Sequence, residues 1–292
     1  MSQLSREMQK LARQAAGSYK TIHDRLKMAE RISRHLLSLN IQVRSVQHLK
    51  GKHIESYITD RLIQGISLRT LHNEMAAVRV ILREAGREKL AESSRISNKA
   101  LGLSGASRAG TRVAITSEHY QAVLSTLRQK DAGLAVTLQL ARLMGLRSQE
   151  AVQCSQSLSC WAAALARGDE RLPVIYGTKG GRPRQTIVLN REAVTEIVHE
   201  ALAIAATCNG RLIDKPDLKT AMNRWHSQTT LAGLKGQYSP HSLRYAWAQD
   251  ALRHYQQRGF SPKDACALVS MDLGHGDGRG RYIRQVYSKG VA

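Results

Sequence analysis

Apolar residues recur every three or four positions through most of the first ninety residues, a period that suits helices and does not suit strands. Leu26, Ala29, Ile32, Leu36 and Leu39 make one stripe and Leu71, Met75, Val78, Ile81 and Leu82 another, with Lys and Arg on the other faces. Such stripes bury one another, so residues 1–92 are expected to form a small helical bundle. Ser67 stands where an N-cap is wanted, and the first turns after it carry Arg69, Thr70 and Asn73 on polar positions. A helix so equipped suits the major groove of DNA, and these three are candidate DNA contacts.

From Ser93 to Ala114 the period fails and Ser, Gly, Ala and Arg take over, so residues 93–110 are expected to be a basic, flexible linker. Arg108 and Arg112 are its candidate contacts with a phosphate backbone. A second domain is expected over 111–292. Thr116 caps its first helix, and helical runs continue to Ala166 with a break at Gly145. Leu172–Tyr176 and Gln185–Leu189 are β-branched runs on either side of a glycine-rich basic tip, which spells a hairpin. Helices are expected again at about 191–206, 217–231, 240–258 and 261–273. The fold class is therefore mainly α with a small β-hairpin, a helical domain followed by an α+β domain.

Charge narrows the partner. Lys and Arg number 44 against 23 Asp and Glu, a formal net charge of +21, and both halves share the excess. A field of that sign and size draws in polyanions, nucleic acid first, and disfavours acidic protein surfaces. Cys154, Cys160, Cys208 and Cys266 have no C-x-x-C pairing or zinc-like spacing, so they are expected to be reduced and mostly buried, with no metal. Neither a basic-then-apolar leader nor a membrane-length apolar run is visible, and an intracellular, cytoplasmic place on the nucleoid is expected.

Several residues suit chemistry on a phosphate. Ser239 and Pro240 write a helix start, which puts His241 in the first turn and Arg244 on the same face. The free amides and positive end of a helix favour an anion there. Arg147 follows Gly145 at a helix junction, and Glu150, three residues on, is placed to hold its guanidinium. Lys179 sits on the hairpin tip, where a lysine suits proton donation to a leaving oxygen, and Arg182 and Arg184 beside it are candidate phosphate contacts. His275 lies in a glycine-rich turn that leads to Tyr282 and Tyr287. A tyrosine becomes a nucleophile when its proton is accepted and the developing charge is offset, tasks that histidines and arginines perform.

In order, the chain carries G-L-R-x-x-E at 145–150, a hairpin lysine at 179, H-x-x-R at 241–244, L-G-H at 273–275 and a tyrosine at 287. That order resembles the tyrosine recombinase or phage integrase family, over the region from about Thr111 onward. The helical N-terminal part resembles the family's core-binding domain by pattern. The resemblance implies catalytic residues Arg147, Lys179, His241, Arg244, His275 and Tyr287, with Glu150 in support. Arg147 and Arg244 would grip the scissile phosphate, the histidines would assist proton movement, Lys179 would protonate the departing 5′ oxygen, and Tyr287 would become a 3′-phosphotyrosine. The covalent link conserves the phosphodiester energy, so no cofactor, ATP or metal is implied.

Double-stranded recombination sites, a homotetramer on paired sites and an accessory DNA-bending protein are the implied partners. Integration or excision of a mobile element is the implied function. Type IB topoisomerase-like relaxation and non-catalytic DNA binding by the same fold are the alternatives. The family's usual spacing from the L-G-H histidine to the nucleophile would reach Arg284 here, and Tyr287 lies three residues further on. Tyr282 stands as its rival.

Overall fold

A computed structural model describes residues 1–106 and 112–288, and the chain divides into two compact units, Met1–Ser107 and Arg108–Ala292. The first is built from α1 (Gln3–Gln14), α2 (Tyr19–Ser38), α3 (Gly51–Ile63), α4 (Leu68–Glu84) and the single turn α5 (Glu88–Ala91). Its starts are chemically marked. Ser2, Ser18 and Ser67 each accept a hydrogen bond from the backbone N–H three residues on, satisfying one of the free donors of α1, α2 and α4. The expected stripes largely turn inward, with Ala29, Ile32, Leu36, Leu71, Met75, Val78, Ile81 and Leu82 buried in one core; Leu26 is half-buried, and Leu39, past the last turn of α2, is exposed.

The expected linker begins too early. Residues 94–96 form a 3-10 turn capped by Ser93, and Ile96, Leu101 and Leu103 are buried in the core of the helical unit. Arg79 donates to the Ile96 carbonyl and to Asn98 Oδ1, each at 2.8 Å, and His72 Nε2 donates to the Leu103 carbonyl at 2.6 Å. Three apolar anchors outweigh the Ser- and Gly-rich composition between them. Residues 107–111, Arg108 among them, lie outside the described residues.

The second unit runs α6 (Ser117–Lys130), α7 (Ala132–Leu143), α8 (Ser148–Val152), α9 (Leu158–Ala166), β1 (Arg171–Val174), β2 (Arg184–Ile187), α10 (Arg191–Thr207), α11 (Leu218–Leu231), α12 (Pro240–Gln257), α13 (Pro262–Asp272) and α14 (Gly280–Val286). The strands pair antiparallel, Arg171 opposite Ile187 and Val174 opposite Arg184, each shorter than the apolar run that foretold it. Thr116, Asp131, Asn190, Asp217 and Ser261 cap helices through their side chains, and Pro240 and Pro262 open theirs.

One core joins α6 to α11, with Trp161 and Trp225 buried in it, and a second gathers Trp247, Val269, Ile283 and Val286 from α12, α13 and α14. No described helix is long and apolar enough to cross a membrane. The four cysteines are free; Cys154 and Cys266 are buried, but Cys160 is exposed, contrary to the expectation of a mostly buried set.

Candidate active site

α7 ends at Leu143 with Met144 as its C-cap, and Gly145 takes a positive φ of +58° that reverses the chain beneath Trp247. A Cβ at Gly145 would lie 2.7 Å from the Trp247 ring, so only glycine fits. The reversal delivers Arg147 as the residue before α8. Glu150, in the first turn of α8, accepts the Arg147 backbone N–H at 2.9 Å and its Nη1 at 2.6 Å. Arg147 Nη2 donates to the Leu273 carbonyl at 3.0 Å, across from the loop that carries His275.

α12 starts as its sequence foretold, with Ser242 Oγ accepting the Ser239 N–H at 3.1 Å. His241, Arg244 and Tyr245 then share a face at helical spacing. Arg244 is wholly buried and donates to the Gly145 and Leu273 carbonyls, and its guanidinium lies 3.8 Å from Glu150. Its Nε is buried with no partner among the described residues. Arg147, Arg184 and Arg244 keep 22%, 2% and 0% of their side chains exposed, so Arg147 is the arginine that meets solvent.

Tyr287 completes the cluster. It follows α14, its N–H bonds the Ile283 carbonyl at 2.8 Å, and its ring is buried against Tyr245 with centroids 4.4 Å apart. Its hydroxyl lies 3.4 Å from His241 Nε2 and 3.4 Å from His275 Nε2. Tyr282 is half-buried with its ring 5.0 Å from that of His275. The hydroxyl seated between the two histidines is that of Tyr287.

The electrostatics follow from burial and crowded cations. Burial, then Arg244 and Arg147, depress His241 to about 4, and burial with the same arginines depresses His275 to about 3. Both imidazoles are therefore neutral near pH 7; the burial and cations that depress them weaken them as bases, and an anion beside them would strengthen them. Burial alone would raise Glu150, but Arg184, Arg244 and Arg147 outweigh it and hold the carboxylate at about 2. Arg244 falls to about 10, pushed down by burial and then by Arg184.

Not every expected residue joins this cluster. Lys179 is exposed on the hairpin tip, with no hydrogen bond or ion pair to the cluster among the described residues. Arg182 is exposed nearby. Arg184 corrects an expectation: it is not a surface phosphate contact, because strand alternation turns it inward with Thr186 and Glu150 takes its guanidinium at 2.8 Å. Arg112 donates to the Gly236 carbonyl at 2.6 Å and lies close enough to His241 to help depress it. In the helical unit Arg69, Thr70 and Asn73 are exposed on α4, and Thr70 and Asn73 line a groove with Thr21 and Arg25 of α2. Tyr245, missed by the sequence, was signalled by its helical spacing from His241.

Two family descriptions match this chain: "Integrase" over residues 102–250 and "Phage integrase, N-terminal" over residues 1–91. The chain belongs to the phage integrase family of tyrosine recombinases. It is a tyrosine-type site-specific recombinase. The first match holds Arg147, Lys179, His241 and Arg244, while His275 and Tyr287 lie beyond it.

Solved integrases share the fold. A lambda integrase dimer bound to a COC′ core site has TM-score 0.61 at 17% identity, covering 97% of this chain and 94% of that one. The Tn1549 transposon integrase in complex with transposon right end DNA has TM-score 0.63 at 12% identity, covering 98% and 95%. XerH recombinase bound to a palindromic difH substrate has TM-score 0.53 at 15% identity, covering 97% and 91%. No curated protein matches the chain.

Proposed function

We propose that this recombinase breaks and rejoins DNA at the cluster around Tyr287, integrating or excising a mobile element. The observation that carries the reading is the Tyr287 hydroxyl, held between two neutral histidines beside a buried, cation-rich arginine cluster. Arg147 and Arg244 grip the non-bridging oxygens of the scissile phosphate. The phenol oxygen attacks phosphorus while its proton passes to His241 or His275. The bond from phosphorus to the 5′ oxygen breaks, and Lys179, brought in by the hairpin when DNA is bound, protonates that oxygen. The products are a 3′-phosphotyrosine and a free 5′-hydroxyl. Attack by a 5′-hydroxyl from another strand reverses the chemistry and exchanges the strands. The phosphodiester energy is kept in the covalent link, so neither ATP nor a divalent metal enters any step.

Residues 1–92 serve as the core-binding domain, with Arg69, Thr70 and Asn73 meeting the major groove, and residues 111–292 as the catalytic domain. Arg108, Arg112 and Arg182 contact the phosphate backbone. A lambda integrase tetramer has been solved on a Holliday junction, and a homotetramer on paired sites, helped by an accessory bending protein, is the working assembly here. The enzyme acts on the nucleoid, in the cytoplasm.

A nicked suicide DNA substrate tests the reading. In EDTA the protein should form a covalent adduct that leaves a free 5′-hydroxyl, and Tyr287→Phe should bind DNA but form none. Relaxation of plasmids lacking any target site would favour a topoisomerase instead. Binding without cleavage by the wild-type protein would leave a DNA-binding module.

A further inference from the structure

Arg184 makes three hydrogen bonds through its terminal nitrogens, with its buried Nε left without a partner among the described residues, yet no step above uses it. Its Nη2 donates to Glu150 Oε2 at 2.8 Å and to the Gly145 carbonyl at 3.2 Å, and its Nη1 donates to the Asp272 carbonyl. One guanidinium thus joins the turn that delivers Arg147, the carboxylate that holds Arg147, and the end of α13 from which the His275 loop departs. Thr186, on the same strand face, donates to the Met144 carbonyl at 3.1 Å and secures the same turn. Arg184 spends both terminal nitrogens on protein acceptors and keeps 2% of its side chain exposed, so it serves the site through the groups it holds.

The glycine of the L-G-H turn records the same contact. Gly274 has a φ of +65°, and a Cβ there would lie 2.8 Å from Arg184 Cδ. The turn before His275 is therefore moulded on the aliphatic stem of Arg184. A lysine in its place keeps the charge but presents a single nitrogen, which cannot bridge Glu150 and Asp272 in the flat two-pronged way of a guanidinium.

We infer that Arg184 is a positioning residue that sets the spacing of Arg147 and His275 around the scissile phosphate, acting through Glu150 and the Asp272 carbonyl. The inference rests on the recombinase reading above, and it places the effect on phosphate grip and not on the Lys179 leaving-group step.

The test compares Arg184→Lys, Lys179→Ala and Gly274→Ala with wild type on nicked suicide DNA, after thermal melts fix a temperature at which all are folded. Arg184→Lys should lose roughly 10- to 100-fold in single-turnover cleavage with DNA affinity unchanged, the scale of a displacement on the order of 1 Å at reacting groups. A second substrate carries sulfur for the departing 5′ oxygen, a leaving group that needs no proton donor. Sulfur should restore Lys179→Ala and leave the Arg184→Lys defect in place. Gly274→Ala should slow cleavage in the wild-type background and less in an Arg184→Ala background, where the stem it strikes is gone.

Wild-type rates for Arg184→Lys, sulfur rescue of that variant, or equal effects of Gly274→Ala in both backgrounds would overturn the assignment. Failure of the recombinase reading would look different, since wild type itself would then form no adduct.

Discussion

Among the described residues, Glu74 and Glu150 are buried carboxylates ringed by arginines, and only one has the makings of a site. In the helical unit Glu74 accepts from Arg31 at 2.8 Å, Arg61 at 2.9 Å and the Tyr57 hydroxyl at 2.8 Å. Arg31 keeps 36% of its side chain exposed, so water shares the surplus cation. In the second unit Glu150 faces Arg147, Arg184 and Arg244, two of them fully buried, with two neutral histidines and a phenol alongside. Three guanidiniums against one carboxylate leave an excess of buried positive charge that the Gly145, Asp272 and Leu273 carbonyls meet in part and a further anion would offset. The lesson is that an arginine–glutamate cluster signals structure where its charge is balanced or wetted, and anion binding where the excess is buried beside proton acceptors.

The contrast breaks most sharply at the chemistry. Tyr287→Phe should lower covalent adduct formation by roughly 10³-fold or more, as loss of a nucleophile does, while Tyr57→Phe on Glu74 leaves adduct formation intact once folding is matched. Gel separation of protein–DNA adducts reads both. Next in size is the carboxylate itself. Glu150→Gln strands buried guanidiniums and should destabilise the protein by about 3–5 kcal/mol, whereas Glu74→Gln, whose arginines can turn to water, should cost about 1–3 kcal/mol. Urea melts decide, and equal losses would erase the distinction.

Smaller effects sharpen the picture. Asn73→Ala, on the exposed face of α4, should weaken binding to the cognate site by about 1–3 kcal/mol without changing the cleavage rate of bound DNA, as measured by filter binding and single-turnover assays. Last comes pH. His241 and His275 sit below their ordinary 6.5 in the folded protein, so the unfolded chain takes up protons first as pH falls. Their contribution to stability is complete above about 6.5 and is lost as pH falls toward about 4 for His241 and about 3 for His275. The melting temperature of the DNA-free protein should fall through that window, and His241→Asn should flatten the fall.

Much of this was legible in the sequence, for reasons that particular residues make plain. The stripes through Ile32 and Val78 foretold the helical unit because amphipathic period and burial are the same fact seen twice. His241 and Arg244 were legible because Ser239 and Pro240 fix the start of α12 and so the phase of its faces. Arg184 was not. The run 184–189 has apolar side chains on both strand faces, so alternation could not say which way the arginine turns, and its partner Glu150 lies 34 residues away. Residues 93–103 were misjudged because Ile96, Leu101 and Leu103 are few among serines, yet each fills a place in the core. Lys179 was legible as a hairpin lysine and stands exposed at the tip.

The convergence on one phosphorus is tested most directly by proteolysis and mass spectrometry of the adduct trapped on nicked DNA in EDTA. The nucleotide mass should sit on the peptide containing Tyr287. Its appearance on Tyr282, or an adduct that forms only with a divalent metal, would contradict the account.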